Sequence, residues 1–235
     1  MTNTAPVIQR VRACVFDAYG TLFDVGSAAQ RCSDALGEVT PRLAVLWRDK
    51  QLQYSWLRAV QGRHADFWQV TGDALDFALD ALGMADFGLR ERLMQLYLTL
   101  DAYPEVPAVL QQLRDAGFGT AILSNGTPAM LTAAVDHARL GTLFDQVLSV
   151  EDVEVYKPHP NVYRLACNRL GLPTDAIAFV SSNGWDAWAA SAYGMQVVWC
   201  NRQRQIGERL PGRPDHEVHS LVELPALLVS NRSAR

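Results

Sequence analysis

At 235 residues, 49% of them apolar, the chain can build one large domain or a domain that carries a smaller insert. It has no run of about eighteen uncharged apolar residues to span a bilayer, no continuous apolar leader, and, at a net charge of −4, no basic cluster for nucleic acid. Cys14, Cys32, Cys167 and Cys200 lack the CxxC spacing of a zinc site and form no disulfide framework, so the expected location is the cytoplasm.

The N-terminal stretch reads as a disordered tail. Residues 11–16 follow as an apolar, β-branched run, long enough for a strand and too short for a helix. Asp17 ends that strand, and Gly20 and Thr21 suit a tight turn closed by a side-chain-to-backbone hydrogen bond. From about Val25 to Tyr103 there are only helical patterns, among them "PRLAVLWRDKQLQYSWLRAV" and "LRERLMQLYLTL". In the second, Leu89, Leu93, Leu96 and Leu100 keep one apolar stripe. Beyond this block, helices are expected at 106–116, 128–138, 160–170 and 186–193. They alternate with strands at 120–124, 146–150, 176–180 and 196–200. Gly117, Gly141, Gly171 and Gly194 each close a helical run as C-terminal caps. Strand alternating with helix predicts βαβ units and a parallel sheet, with the helical block inserted as a cap over it. The closing "SNRSAR" reads as frayed.

In open parallel sheets, ligands bind outside the carboxyl ends of the strands. Four such ends carry polar groups here: Asp17; Ser124 and Asn125; Lys157 in the loop "VEVYKPHP"; and Ser181, Ser182 and Asn183 with Asp186. Each has a plainer reading. Asp17 suits a turn, Ser124 or Asn125 a helix cap, Lys157 a solvated surface, and Asp186 a first helical turn, where the dipole favours it. Convergence of all four on one sheet edge favours a site. Of the 21 basic residues only Lys50 and Lys157 are lysines, so Lys157 stands out as a compact charge that a planar guanidinium does not reproduce.

The segments "DAYGT", "LSNG", "KPHP" and "SSNGWDAWAA" resemble, in order and spacing, the four motifs of the haloacid dehalogenase superfamily, over almost the whole chain. The resemblance implies an α/β fold: a Rossmann-like parallel-sheet core with helices on both faces and an inserted all-helical cap domain after the first strand. The core would be residues 1–24 and 104–235, the cap 25–103, and Asp17 the nucleophile. Most members of that superfamily are magnesium-dependent phosphatases, with D-x-D at the first motif and an acidic pair at the fourth. Here Tyr19 replaces the second aspartate, and the acidic pair shrinks to Asp186 beside Ser181 and Asn183. Hard divalent cations prefer several oxygen ligands, so neither metal nor cofactor is expected. What remains is similar to the L-2-haloacid dehalogenases. "LWRDKQLQYSWLR" resembles the cap helix that carries their halide-binding arginine, which puts that role on Arg48. Asp49 departs from the neutral amide expected after that arginine, and an acid there is expected to weaken halide binding or shift substrate preference.

The resemblance thus implies hydrolysis of short (S)-2-haloacids to (R)-2-hydroxyacids and halide through an ester on Asp17. The expected ligands are a small 2-haloalkanoic acid and halide, with no nucleic acid or membrane partner. A homodimer is implied too, and Trp47, Tyr54 and Trp56 on the cap helix would permit it. An attacking carboxylate has to be ionised, and a nearby Lys157 ammonium favours that form. Ser124, Lys157 and backbone N–H groups after Asp17 are candidates to hold the substrate carboxylate, and Arg48 and Asn125 to receive the halide. Tyr19, Leu52, Phe67 and Trp185 are candidates for an apolar wall around the alkyl group; they read equally well as ordinary core. Asp186, Ser181 and Asn183 would position or deprotonate water, Thr21 would orient Asp17, and Tyr163 would hydrogen-bond within the network. Two other classes stay open from sequence alone: a phosphatase or phosphonate hydrolase of the same superfamily, and a binding protein that lost turnover. Missing metal ligands argue against the first, and the joint presence of Asp17, Arg48, Lys157 and Asp186 against the second.

Overall fold

The computed structural model describes residues 8–228; the expected frayed end and the first seven residues of the expected tail lie outside them. Six strands form one parallel sheet: β1 (Ala13–Phe16), β2 (Gly119–Ser124), β3 (Gln146–Ser149), β4 (Ile177–Ser181), β5 (Gln196–Cys200) and β6 (His216–Val218). Their order is β3-β2-β1-β4-β5-β6. Every residue of β1 and β4 is buried, as expected of strands covered on both faces. Helices α6 (Val106–Asp115) and α7 (Pro128–His137) lead to β2 and β3, α8 (Pro160–Leu170) carries the chain from β3 back to β4, and α9 (Gly184–Tyr193) carries it on to β5. The chain thus steps along the sheet first in one direction and then in the other, and the right-handed rule for parallel crossovers puts α6 and α7 on one face and α8 and α9 on the other, the Rossmann-like arrangement.

The strand β6 escaped the sequence pattern because it has three residues, of which only Val218 is buried. Ile8, expected in a disordered tail, is buried and donates its N–H to the Leu227 carbonyl at 2.7 Å. Gly117, Gly171 and Gly194 adopt the left-handed backbone of a helix end. Gly141 does not. There α7 ends earlier, Arg139 itself takes φ 56°, and the Leu140 N–H returns to the Val135 carbonyl at 2.9 Å. Gly141 instead opens a 3-10 turn, Gly141–Leu143.

Between β1 and α6 the chain forms α1 (Ser27–Gln30), α2 (Ser33–Leu36), α3 (Thr40–Gln61), α4 (Phe67–Ala81) and α5 (Phe87–Leu98), with no strand among residues 25–103. Asp66 and Asp86 start α4 and α5 by accepting the N–H groups of Gln69 and Leu89 at 2.8 and 2.6 Å. Leu89, Leu93 and Leu100 of the expected stripe are buried, although Leu100 lies past the end of α5. The segments that enter and leave this block run side by side. Asp24 N–H donates to the Asp101 carbonyl at 2.8 Å, and Tyr103 N–H to the Leu22 carbonyl at 3.0 Å. Trp47 is not the surface contact its place on the cap helix suggested: it is buried, and its indole N–H donates to the Thr71 carbonyl at 2.9 Å. Among the described residues no helix is long and apolar enough to cross a membrane.

Candidate active site

The strand order reverses at β1, between β2 and β4, which opens a crevice beyond their carboxyl ends. Asp17 stands there, its N–H bonded to the Val180 carbonyl at 2.9 Å. Lys157 is not solvated; it is 1% exposed. Its backbone N–H donates to Asn125 Oδ1 at 3.0 Å. Its ammonium donates to Asp17 Oδ1 at 3.0 Å and Asp186 Oδ2 at 2.8 Å. Asp186, in the first turn of α9, also accepts from the Tyr163 hydroxyl at 2.7 Å. Burial alone would lower the Lys157 pKa, but the charges of Asp17 and Asp186 together outweigh it and hold the ammonium above the ordinary lysine value. Burial pushes the Asp186 carboxyl up; Lys157 opposes this and the Asp17 charge adds to it.

The second oxygen of Asp17 is held from the other side. Oδ2 accepts from Thr21 Oγ1 at 3.1 Å and from Asn183 Nδ2 at 2.7 Å. The Thr21 hydroxyl oxygen accepts the Ser182 N–H at 2.7 Å, so its own proton is directed at Asp17. The Ser181 hydroxyl oxygen accepts the Asn183 backbone N–H at 3.2 Å. Ser124 Oγ accepts the Gly126 N–H at 3.1 Å. Neither Ser124 nor Asn125 caps α7; Thr127 does, by accepting the Met130 N–H. The Tyr19 ring lies 5.5 Å from that of Tyr97 and 6.0 Å from that of Phe67. It presses on Gly126 so closely that a Cβ there would come within 2.8 Å of Tyr19 Cε2. Its hydroxyl is buried and has no hydrogen-bond partner among the described residues.

Arg48 reaches this cluster from α3. Its Nη2 lies 3.3 Å from Asn183 Oδ1 and 3.4 Å from the Tyr19 carbonyl, and its Nη1 donates to Gln51 Oε1 at 2.7 Å. Asp49 is exposed and makes no side-chain hydrogen bond or ion pair among the described residues. Leu52 and Trp185 are half-buried and stay outside the hydrogen-bonded cluster. Trp185 packs its ring edge-on to Trp56 at 5.4 Å. Together with Tyr156, Pro158 and Tyr163 these indoles line an apolar cleft of about 780 Å³ whose walls do not include Asp17, Lys157 or Asp186. Gln51, Thr71 and Tyr97 escaped the sequence reading. Only Gln51 left a signal there, three residues from Arg48 and so on the same helix face.

A carboxylate with fixed donors on both oxygens, a buried cation and a second carboxylate nearby can attack an electrophilic carbon and then steer a water. Magnesium does not fit this donor set. The ammonium already stands between Asp17 and Asp186, position 19 is a tyrosine, and the described residues hold no group of three or more metal-ligating side chains.

The profile of the haloacid dehalogenase-like hydrolases matches residues 11–194. The chain is 45% identical to (S)-2-haloacid dehalogenase 4A of Burkholderia cepacia, over 96% of this chain and 98% of that one. It is 46% identical to (S)-2-haloacid dehalogenase 1 of Pseudomonas sp. strain CBS-3, over 93% and 97%. The L-2-haloacid dehalogenase of Xanthobacter autotrophicus, solved with chloropropionic acid covalently bound, superposes with a TM-score of 0.87 at 39% identity, covering 92% of this chain and 98% of that one.

Proposed function

Because the chain belongs to the haloacid dehalogenase-like hydrolase family, we propose that it hydrolyses short (S)-2-haloacids to (R)-2-hydroxyacids and halide, with Asp17 as the nucleophile. The observation that carries this reading is the buried Lys157 ammonium shared by Asp17 and Asp186. It supplies the cationic partner that a metal supplies elsewhere, and it suits attack on carbon by a free carboxylate. The similarity to (S)-2-haloacid dehalogenases along nearly the whole chain supports the substrate class.

In the first step an Asp17 oxygen attacks C2 opposite the carbon–halogen bond, the bonding pair departs with the halide, and C2 inverts. We assign the attack to Oδ1. That leaves Oδ2 as the ester carbonyl oxygen between Thr21 and Asn183, where negative charge gathers when water adds. Ser124, Lys157 and the N–H groups after Asp17 hold the substrate carboxylate, and Arg48 and Asn125 receive the halide. Tyr19, Leu52, Phe67 and Trp185 enclose the alkyl group. Holding carboxylate and carbon in line is worth about 7–11 kcal/mol of the barrier. In the second step water attacks the Asp17 carboxyl carbon, steered by Asp186 with Ser181 and Asn183, while Tyr163 holds Asp186. One water proton ends on the departing hydroxyacid and the other is released. The hydroxyacid leaves with an original Asp17 oxygen.

This reading divides the chain into a catalytic core, 1–24 and 104–235, and a cap, 25–103. The pairing of Leu22 and Asp24 with Tyr103 and Asp101 supports those boundaries. It also makes the protein a cytoplasmic homodimer. All four cysteines are free, and Val45, Leu57 and Val60 of α3 are exposed apolar side chains.

The deciding experiment measures chloride release from each enantiomer of 2-chloropropionate, with the chirality of the lactate formed, beside phosphate release from a generic phosphate ester with magnesium. Chloride from the (S) enantiomer, giving (R)-lactate, is expected. Phosphate release without chloride release would turn the assignment to a phosphatase.

A further inference from the structure

Arg48 carries no counter-ion. Among the described residues no carboxylate lies within ion-pair distance of its guanidinium; its partners are Gln51 Oε1, the Tyr19 carbonyl, Asn183 Oδ1 and the Tyr97 hydroxyl, all neutral. Of these, Gln51 makes the shortest contact, at 2.7 Å, and it belongs to a buried chain of hydrogen bonds inside the cap. The direction of that chain is set at its far end. The Thr71 hydroxyl spends its single proton on the Phe67 carbonyl at 2.6 Å, so toward Gln51 it can only accept. Gln51 Nε2 therefore faces Thr71 Oγ1, at 2.7 Å, with the Tyr97 hydroxyl 3.1 Å from Nε2 and 3.2 Å from Oε1. The amide has one orientation left, and it aims Oε1 at Arg48. Burial keeps the Tyr97 phenol protonated, so the frame brings in no negative charge.

From this geometry we propose that Gln51 is a positioning residue that, through Thr71 and Tyr97, holds Arg48 over the nucleophile while leaving its whole positive charge for the departing halide. The proposal rests on the reading of Arg48 as the halide-binding cation. An amide is the group this task requires. A carboxylate in the same place would bond Arg48 more strongly but cancel its charge and lose the donor to Thr71. An apolar side chain would keep the charge and lose the aim.

The test is single-turnover halide release from (S)-2-chloropropionate and (S)-2-bromopropionate by wild type, Gln51→Glu, Gln51→Met, Tyr97→Phe and Arg48→Ala, with melting temperatures alongside. Chloride, the poorer leaving group, needs more help as charge develops. A positioning role therefore lowers chloride release by about tenfold to a hundredfold, short of the roughly 10²–10³ that loss of a single donor costs, and widens the bromide-to-chloride ratio. The Glu and Met variants should both show this, and Tyr97→Phe more weakly. A role in packing alone would slow both substrates by one factor, and that result overturns the proposal. So does a wild-type rate and ratio in folded Gln51 variants while Arg48→Ala is impaired. If Arg48→Ala itself releases chloride normally, the reading of Arg48 is what fails. Should the Gln51 variants not fold, the bromide-to-chloride ratio of a Thr71→Val variant decides, since that change removes the acceptor that orients the Gln51 amide and leaves the Arg48 contacts themselves in place.

Discussion

The two sides of the site are built by different means. On the sheet side, Asp17, Lys157 and Asp186 are nearly or fully buried, and each is tied to strand ends or to the first turn of a helix that leaves one. Their contacts are doubled: Lys157 bridges two carboxylates, and Asp17 Oδ2 has two donors. On the side of the helical block the charge is a single half-buried arginine on α3, contacted by side chains from α3, α4 and α5. In the proposed reaction, bond formation thus falls to groups fixed by backbone, and reception of the leaving group to one held by a chain of side-chain hydrogen bonds. Substitution should be least forgiving on the first side and graded on the second.

The largest effect should come from Asp17→Ala, which is expected to abolish turnover, since no other carboxylate stands at the end of β1. The step itself is tested with wild type in excess over substrate in ¹⁸O-water. An ester route leaves the first product unlabelled at its new hydroxyl and puts ¹⁸O into the Asp17 peptide, as read by mass spectrometry. Label in the first product with none on Asp17 would mean that Asp17 acts as a base for direct attack by water.

Arg48→Ala should follow, with halide release down by about 10²–10³ and a nearly unchanged melting temperature, because its contacts are to neutral groups of the site. A matching collapse of the fold would move Arg48 from the graded side of the comparison to the rigid one.

A smaller and reversible effect is expected from pH. Burial raises the folded-state pKa of Asp186 above the ordinary 3.8. As pH falls through that raised value, Asp186 takes a proton and can no longer steer water, so kcat falls. Its effect on stability has the opposite direction: a carboxyl with a raised folded pKa contributes stability that is present below 3.8 and lost as pH rises through the folded value. The acid loss of rate should therefore occur with the fold intact by circular dichroism. Lys157, raised above 10.5, should contribute stability up to that pH and lose it only as pH climbs past the folded value. An acid limb at or below the ordinary carboxylate range would remove Asp186 from the second step.

The same contrast explains what could be read from the sequence. Residues fixed by backbone position announced themselves: apolar runs ended at Asp17 and Ser124, the loop before α8 held Lys157, and α9 began beside Asp186. What was not legible depended on side chains meeting across long separations, as Gln51 meets Thr71 and Tyr97. Gly141 misled because the turn after helix α7 puts Arg139, a residue with no compositional mark for it, in the left-handed region. Trp47 misled because an aromatic residue on an amphipathic helix gives no sign of which neighbour will cover it.

Tyr19 lies where the two sides meet, and it carries the smallest expected effect. Its carbonyl accepts from Asn183 and Arg48, while its ring stacks against Tyr97 of the cap. The hydroxyl has no partner among the described residues, and an unsatisfied buried polar group costs about 1–3 kcal/mol. Tyr19→Phe keeps both the ring and the carbonyl and removes only that orphan. The melting temperature should hold or rise slightly, and halide release should fall far less than in Arg48→Ala, since the proposed wall around the alkyl group needs only the ring. A lower melting temperature would reveal a partner for the hydroxyl. A loss of rate as deep as that of Arg48→Ala, with the fold intact, would make the hydroxyl a donor to the substrate or the halide, and the cap-side charge would then share its task with a group rooted in the strand end.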